Sequence, residues 1–255
     1  MTETRNYPMD RAEEFIQLFN RIEQFLSQLV NPERYAPFWR LVEDASDRSA
    51  AVRAHAVALK RFAMLRNAIV HDADYPPHIV AVPSSGALSK FKQVALEVLE
   101  PKHLIPTFAT EVHCFSLTDN LHNVLGFMRE HDFSQVVVRS SDGQLGMLTV
   151  EGITRWLADN SGGKQNPVNT ATISDIVALE PPGGFMIMGP EKTVFDAADA
   201  FRNAIHFEAT RLYAIVITGN GNDLDTPIGL VTPWDIQHNP RLLGSVGDLG
   251  RTTFS

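Results

Sequence analysis

The sequence has little of what marks secreted, membrane-spanning or disulfide-bonded proteins. Its 255 residues include a single cysteine, Cys114, which excludes an internal disulfide and favours a reducing compartment. No apolar run approaches the ~20 residues that a membrane helix needs. The first residues, Met-Thr-Glu-Thr-Arg, are polar and lack the apolar core of a secretory signal. We therefore expect a cytoplasmic protein with no membrane partner.

Basic residues are also scarce, and their distribution divides the chain. Residues 1–105 hold 13 Lys/Arg and 13 Asp/Glu, whereas residues 106–255 hold 9 and 17, which accounts for the net charge of −8. Binding to nucleic acid phosphates needs a basic surface. We therefore expect any contact with RNA to come from the first part of the chain.

Apolar residues recur at helical spacing through the first hundred positions. The spacing predicts helices over residues 10–30, 37–44, 47–70 and 89–100, separated by short links that contain proline. Four amphipathic helices with short connections predict a four-helix-type bundle, which we assign to residues 1–105.

The end of the third predicted helix carries Arg66, Asn67 and His71. An imidazole suits proton transfer in RNA cleavage, and a guanidinium suits the phosphate as its charge builds. On one continuous helix Arg66 and His71 would lie about 140° apart, so the pair converges only if the helix ends first or two chains share a cleft. The alternative is a surface pair that complements the helix dipole. Arg53, Lys60, Arg61 and Arg66 form either an RNA-facing stripe or an ordinary solvated face.

The segment Leu65–His71, late in a four-helix unit, resembles the Arg-x4–6-His signature of HEPN domains. The resemblance covers roughly residues 10–102. It implies a homodimer in which Arg66, Asn67 and His71 cleave RNA without a metal or resident cofactor. Other HEPN domains have lost activity and only dimerise, so the resemblance leaves open whether this chain is an enzyme.

One phrase occurs twice in the second part of the chain. Gly146-Met-Leu-Thr149 is echoed by Gly229-Leu-Val-Thr232, and each phrase closes a block that predicts β-α-β-β-α. The first repeat spans residues 108–160 and the second 170–240, within a domain of residues 106–240, and residues 241–255 form a tail. The predicted fold class is therefore α+β and multidomain: a helical bundle followed by a tandem repeat.

The residues after each phrase differ in a way that bears on binding. Thr232 is followed three positions later by Asp235, which gives a hydroxyl donor and a carboxylate that can accept hydrogen bonds from a ligand. The same pair could also simply cap a helix, and capping and binding are compatible. In the first repeat Gly152 stands where the acid should be, and Glu151 would point about 100° away. We expect one competent site, built on the second repeat.

This pattern resembles a pair of CBS domains, or Bateman module, over residues 108–240. The resemblance implies an adenine-containing regulatory ligand: AMP, ADP or ATP in the first place, with a cyclic dinucleotide and S-adenosylmethionine left open. It adds Arg211, Tyr213 and Ala214 as binding residues, with Thr172 and Ile173 bordering the base. No metal site is expected.

Together these features predict a nucleotide sensor. A ligand near Asp235 would change a dimeric helical cleft, and RNA cleavage would depend on the ligand. The alternative is a non-catalytic binding and dimerisation module that gates a protein partner.

Overall fold

The computed structural model describes residues 8–71, 78–161, 167–180, 183–206 and 211–237, without the side chains of residues 8–10, 71, 78, 205 and 206. The described residues fall into two units: those up to Lys102 form the first and those from His103 to Gln237 form the second. Within the described residues, no helix combines the length and the apolar character that a membrane crossing requires.

The first unit is helical, as predicted. Its helices are α1 (Pro8–Val30), α2 (Phe38–Ser46), α3 (Ala50–Ile69) and α4 (Ser85–Leu99). Their apolar faces share one core, in which the ring centroids of Phe15 and Phe62 each lie 4.5 Å from that of Phe91. Large aromatic side chains in close contact contribute much of a core's stabilisation.

The fourth helix begins earlier than predicted because a serine caps it. The Ser84 hydroxyl accepts a hydrogen bond from the Ala87 amide at 3.2 Å, and this cap starts α4 at Ser85 rather than Ser89. The first turn then buries Leu88 in the core. Apolar spacing alone did not reveal this turn, since only one of its side chains faces inward.

The third helix ends before the predicted motif is complete. Helix α3 stops at Ile69, and Val70 and His71 form strand β1, which pairs antiparallel with β2 (His78–Ile79). The Val80 amide donates to the Ile69 carbonyl at 2.8 Å. Arg66 and His71 therefore do not lie on one continuous helix, which removes the geometric objection to their convergence.

A buried contact between a histidine and a glutamate joins α3 to α4. The Nε2 atom of His55 lies 2.7 Å from Oε2 of Glu97, and only 1% of the His55 side chain is exposed. A buried imidazole is retained only where a polar partner compensates for its lost hydration. The pair therefore helps to fix the register of these two helices.

The second unit contains two small sheets built on the same plan. The first has strands β3 (Cys114–Ser116), β4 (Gln135–Arg139) and β5 (Leu145–Thr149), and the second has β6 (Phe185–Met188), β7 (Ala214–Thr218) and β8 (Pro227–Val231). In each sheet the first pair is parallel and the second antiparallel. The longer helices are α6 (Leu121–Glu130), α7 (Val150–Asn160) and α9 (Val194–His206), and the last is α10 (Pro233–Gln237). The predicted duplication of β-α-β-β-α is present.

Each repeat is completed by the segment that precedes the other repeat. Short helix α8 (Ile173–Val177) precedes β6, yet the Ile173 amide donates to the Asp119 carbonyl of the first repeat at 3.0 Å. Helix α5 (Leu104–Thr107) precedes β3, yet the Leu104 amide donates to the Lys192 carbonyl in the second repeat at 2.7 Å. The two repeats therefore form one interlocked unit, which the linear division at residues 108 and 170 did not predict.

Gly229 of the repeated phrase allows this exchange. Ala109 forms a bridge with Gly229, and a Cβ at position 229 would lie 2.5 Å from the Phe108 carbonyl oxygen. Any larger residue would push the exchanged segment away, so this glycine is required by a close backbone approach.

Candidate ligand-binding site

The two repeats line one cleft of about 830 Å³. This volume lies in the range typical of small-molecule sites. The first repeat contributes residues that precede or begin β3 and β4, and the second contributes those that flank β7 and β8. The lining residues are Thr110–His113, Phe127, Asp132–Val137, Arg211–Tyr213, Leu230, Thr232–Asp235 and Gln237.

The Thr232–Asp235 pair lies in this cleft and caps α10. Oδ2 of Asp235 accepts hydrogen bonds from the Thr232 amide at 2.8 Å and from the Thr232 hydroxyl at 2.7 Å. The Thr232 hydroxyl in turn accepts from the Asp235 amide at 3.4 Å. The capping role weighed from the sequence is therefore present, and it fixes the position of a half-buried carboxylate beside the cleft.

The same arrangement occurs elsewhere in the unit. Oδ2 of Asp196 accepts from the Thr193 amide and hydroxyl, both at 2.7 Å. Oδ2 of Asp175 accepts from the Thr172 amide at 2.8 Å and from its hydroxyl at 3.1 Å. The Thr-x-x-Asp spacing is thus a general helix start in this fold, and only its position in the cleft sets Asp235 apart.

The first repeat makes the equivalent bonds with an acid that sequence reasoning missed. Oε1 of Glu180 accepts from the Thr149 amide at 2.6 Å, and Oε2 accepts from the Thr149 hydroxyl at 2.8 Å. Thr149 also accepts from the Gly152 amide at 3.1 Å, which starts α7. Glu180 lies 31 residues beyond Thr149, so no local spacing could have indicated it.

Gly152 and Glu180 are sterically complementary. A Cβ at position 152 would lie 2.1 Å from Oε1 of Glu180. Because Gly152 has no side chain, the space beside it holds the carboxylate of Glu180, which belongs to the segment before β6. Burial raises the pKa of Glu180, although its hydrogen bonds with Thr149 act in the opposite direction.

Tyr213 joins the two repeats through a hydrogen bond to Glu151. Its hydroxyl donates to the Glu151 carboxylate, which also pairs with Arg155. Burial, followed by the bond to Glu151, raises the pKa of Tyr213 to about 12, and the bond from Tyr213 is the main cause of the lowered pKa of Glu151. The Arg211 guanidinium lies 5.4 Å from the centre of the Tyr213 ring, within range of a cation–π contact.

The structure brings four of the predicted ligand residues to the cleft: Arg211, Tyr213, Thr232 and Asp235. It places the other three elsewhere. Ile173 is fully buried in the apolar core of the first repeat, Ala214 is fully buried in β7, and Thr172 caps α8. The physical reason is the exchange of segments, which carries Thr172 and Ile173 onto the first repeat.

Two aromatic residues of the cleft were not singled out from the sequence. Trp234 is 68% exposed and Phe133 is 50% exposed, and both line the cleft. Large exposed aromatic rings beside a polar pair are typical of a surface that binds a flat apolar group. Trp234 lies between Thr232 and Asp235 in the sequence, and this adjacency was the available signal.

The charged residues that line the cleft are mostly acidic: Glu111, Asp132 and Asp235 against Arg211. Such a lining favours a ligand of low negative charge over one with several phosphates. Within the residues that the structure describes, no grouping of His, Cys, Asp and Glu is suited to hold a metal ion.

In the helical unit two of the predicted catalytic residues, Arg66 and Asn67, lie in the last turn of α3. Arg66 is half-buried in the last helical turn, and its Nη1 atom donates to Oδ1 of Asn67 at 3.4 Å. The backbone of His71 forms β1, and its side chain lies outside the described part of the chain. Two cations of the predicted stripe have partners within the unit, since Lys60 pairs with Glu43 at 2.8 Å and Arg53 donates to the Ser46 carbonyl.

Two β-α-β-β-α units that complete each other and line a shared cleft define a paired-repeat module. The family model of the CBS domain matches residues 108–159, which lie within the first repeat. The chain therefore contains a CBS domain, and the C-terminal part has a CBS-type fold.

Three solved structures are similar to this chain at low identity. The CBS domain of a CBS domain containing membrane protein from Sphaerobacter thermophilus is 20% identical, with a TM-score of 0.43, and the match covers 59% of this chain and 95% of that one. A CBS domain pair in complex with 5′-methylthioadenosine and S-adenosyl-L-methionine is 16% identical (TM-score 0.41, 56% and 97% covered). CbpB in complex with c-di-AMP is 15% identical (TM-score 0.40, 60% and 95% covered). None of the curated proteins compared with this chain matches it.

Proposed function

We propose that the cleft binds an adenosine-containing regulatory ligand through the second repeat. The observation that carries this proposal is the Asp235 carboxylate, which Thr232 holds beside the cleft through Oδ2. Because the cap uses Oδ2, Oδ1 is the oxygen that accepts ribose hydroxyls. A carboxylate fixed by its own helix start needs little reorganisation on binding.

Other lining groups suit the remaining parts of such a ligand. Trp234 and Phe133 offer ring surfaces to the adenine base, and Arg211 offers a guanidinium to a phosphate. Three acidic residues line the same cleft, so we infer a preference for AMP or an uncharged or cationic adenosine derivative over ADP and ATP.

A thermal-shift panel tests this function. The panel contains AMP, ADP, ATP, adenosine, S-adenosylmethionine and c-di-AMP, each with wild type, Asp235→Ala and the matched control Asp196→Ala. A ligand at ~100 times its Kd stabilises the folded protein by about 2.7 kcal/mol. We expect a shift in wild type and Asp196→Ala that disappears in Asp235→Ala. Absence of a shift with every ligand would contradict the proposal.

For the helical unit we propose a HEPN-type homodimer in which Arg66, Asn67 and His71 contribute to RNA cleavage under control of the ligand. The support is the motif together with the end of α3 at Ile69, which frees His71 from the helical register of Arg66. The residue types suit metal-independent cleavage in which the 2′-oxygen of RNA attacks the phosphorus and the 5′-oxygen leaves, with the imidazole carrying a proton and the guanidinium contacting the phosphate.

A second function, a non-catalytic platform that gates a protein partner, is favoured by a different observation. Lys60 and Arg53 engage Glu43 and the Ser46 carbonyl rather than forming an open cationic stripe. On the same helix the apolar residues Val57 and Met64 are 58% and 73% exposed. These residues lie two turns apart and suit contact with another protein better than contact with phosphates.

Incubation with total RNA separates these two functions. Wild type, Arg66→Ala, His71→Ala and the exposed control Arg21→Ala on α1 are compared with and without AMP, and light scattering gives the oligomeric state. Catalysis predicts fragments from wild type and Arg21→Ala only. Equal behaviour of all four proteins would contradict catalysis and favour the platform.

A further inference from the structure

We propose that Glu180 is an internal occupant of the first-repeat site, where its carboxylate takes the place of a ligand-binding acid and excludes a nucleoside. The proposal rests on the proposed function of the second repeat for its ligand consequence. Its structural part, that Glu180 replaces the acid missing at position 152, can be tested separately.

The equivalence follows from the two sheets. Thr149 is the last residue of β5 and directly precedes α7, and Thr232 lies between β8 and α10. Each threonine gives its amide and its hydroxyl to one carboxylate, at 2.6 and 2.8 Å for Glu180 and at 2.8 and 2.7 Å for Asp235. The two acids therefore hold equivalent positions in the two repeats.

The two carboxylates differ in what they leave available. Asp235 accepts both bonds from Thr232 through Oδ2 alone, whereas Glu180 uses Oε1 for the amide and Oε2 for the hydroxyl of Thr149. A ribose diol thus meets one oxygen of Asp235 without a threonine bond, but no such oxygen on Glu180. The longer glutamate side chain also fills the volume where a ligand would approach, since it reaches within 2.1 Å of a Cβ position at Gly152.

The other acid at this end of the first repeat is engaged as well. Glu151 accepts from the Tyr213 hydroxyl and pairs with Arg155. The carboxylates of Glu180 and Glu151 are therefore both engaged by groups of the protein itself. At the end of β5 the amide and hydroxyl of Thr149 already have an acceptor within the protein, so no ligand is needed to bind them.

A double-mutant cycle tests the structural part. Glu180→Ala removes the acid that holds Thr149 at the start of α7, and we expect its melting temperature to fall by roughly 2–4 °C, while the exposed control Glu130→Ala stays near wild type. In the background of Gly152→Asp the sign should change: Glu180→Ala should leave the melting temperature unchanged or raise it, because the introduced aspartate supplies the cap and the steric conflict is gone. An equal fall in both backgrounds would overturn the proposal. If Gly152→Asp alone fails to fold, recovery of the fold in Gly152→Asp/Glu180→Ala is the same reversal of sign.

Equilibrium dialysis with AMP tests the ligand consequence. We expect about one equivalent per chain in wild type and about two in Gly152→Asp/Glu180→Ala, as one carboxylate per repeat is then available. Two equivalents in wild type, or one in the double variant, would overturn the exclusion. If wild type binds no AMP, the proposed function fails for AMP, and the melting-temperature cycle still decides whether Glu180 replaces the missing acid.

Discussion

In each repeat a threonine starts the last helix and binds a carboxylate, but the two carboxylates come from different parts of the chain. Thr232, after β8, binds Asp235 three residues further along the chain. Thr149, at the end of β5, binds Glu180, which belongs to the segment before the other repeat. The hydrogen bonds are nearly the same length, although Asp235 accepts both through Oδ2 and Glu180 uses one oxygen for each. The difference lies in what remains for a ligand: Asp235 lines the cleft, whereas Glu180 is half-buried beside Gly152.

The largest expected effect comes from removing the acid of the second repeat. Asp235→Ala should weaken AMP binding by about 10- to 100-fold, since a hydrogen bond to a charged group contributes about 1.5–3 kcal/mol. The variant should also lose about 1 kcal/mol of stability with its cap. Isothermal titration calorimetry and urea unfolding measure the two effects.

Asp196→Ala separates these two contributions. Asp196 makes the same bonds to Thr193 as Asp235 makes to Thr232, but it does not line the cleft. We expect a comparable loss of stability with unchanged AMP affinity. Equal loss of affinity in both variants would mean that the effect on binding comes from destabilisation rather than from the carboxylate.

A smaller effect is expected from the cation of the cleft. Arg211→Ala should reduce affinity for AMP by roughly 5- to 10-fold and leave adenosine nearly unaffected, because an exposed guanidinium contributes modestly to phosphate binding. The exposed residue Arg129 on α6 offers a matched control. A loss that is equal for adenosine and AMP would assign Arg211 to the nucleoside rather than to the phosphate.

The acids of the first repeat should give stability profiles of opposite slope. Burial raises the pKa of Glu180 above the ordinary value of 4.5. Between pH 4.5 and this raised pKa, the folded state therefore binds more protons than the unfolded state. Wild type should therefore lose stability relative to Glu180→Gln as the pH rises above about 4.5. The hydrogen bond from Tyr213 lowers the pKa of Glu151, so wild type should lose stability relative to Glu151→Gln as the pH falls below about 4.5.

Urea unfolding of the three proteins across this pH range measures both slopes. Two slopes of the same sign would contradict the opposite pKa shifts, which burial causes in Glu180 and the Tyr213 hydrogen bond causes in Glu151. If wild type instead lost stability relative to Glu180→Gln as the pH falls, the hydrogen bonds with Thr149 would outweigh the effect of burial on the pKa of Glu180.

The smallest expected effect concerns the ring that joins the repeats. Burial and the bond to Glu151 raise the pKa of Tyr213 from 10.0 to about 12, so an absorbance titration of the protein should contain a step near pH 12. Tyr213→Phe should remove that step, and Glu151→Gln should lower it, because the bond to Glu151 disfavours ionisation. A step that persists in Tyr213→Phe would belong to another tyrosine.

Local signals predicted much of this molecule. The spacing of apolar residues located the helices of the first unit and the strands that end at Thr149 and just before Thr232, since burial on one face imposes a period on the sequence. The Thr232–Asp235 spacing indicated both the cap and the acid of the cleft.

Features that depend on distant contacts were not predictable in the same way. Glu180 takes the place of an acid at position 152. It lies 31 residues beyond the threonine that it binds, Thr149, and the spacing of apolar residues carries no information about such a contact. The exchange of α5 and α8 between repeats likewise moved Ile173 from the expected ligand contact into the apolar core. The absence of an acid at position 152 was visible in the sequence, but what filled its place was not.

The most direct test of the asymmetry between the repeats is an AMP titration followed by backbone amide NMR signals. We expect large shifts for the amides of Trp234 and Asp235 and little change for those of Thr149 and Gly152. Comparable shifts at both sets of amides, or shifts at Thr149 and Gly152 alone, would contradict the claim that the second repeat binds the ligand while Glu180 occupies the first.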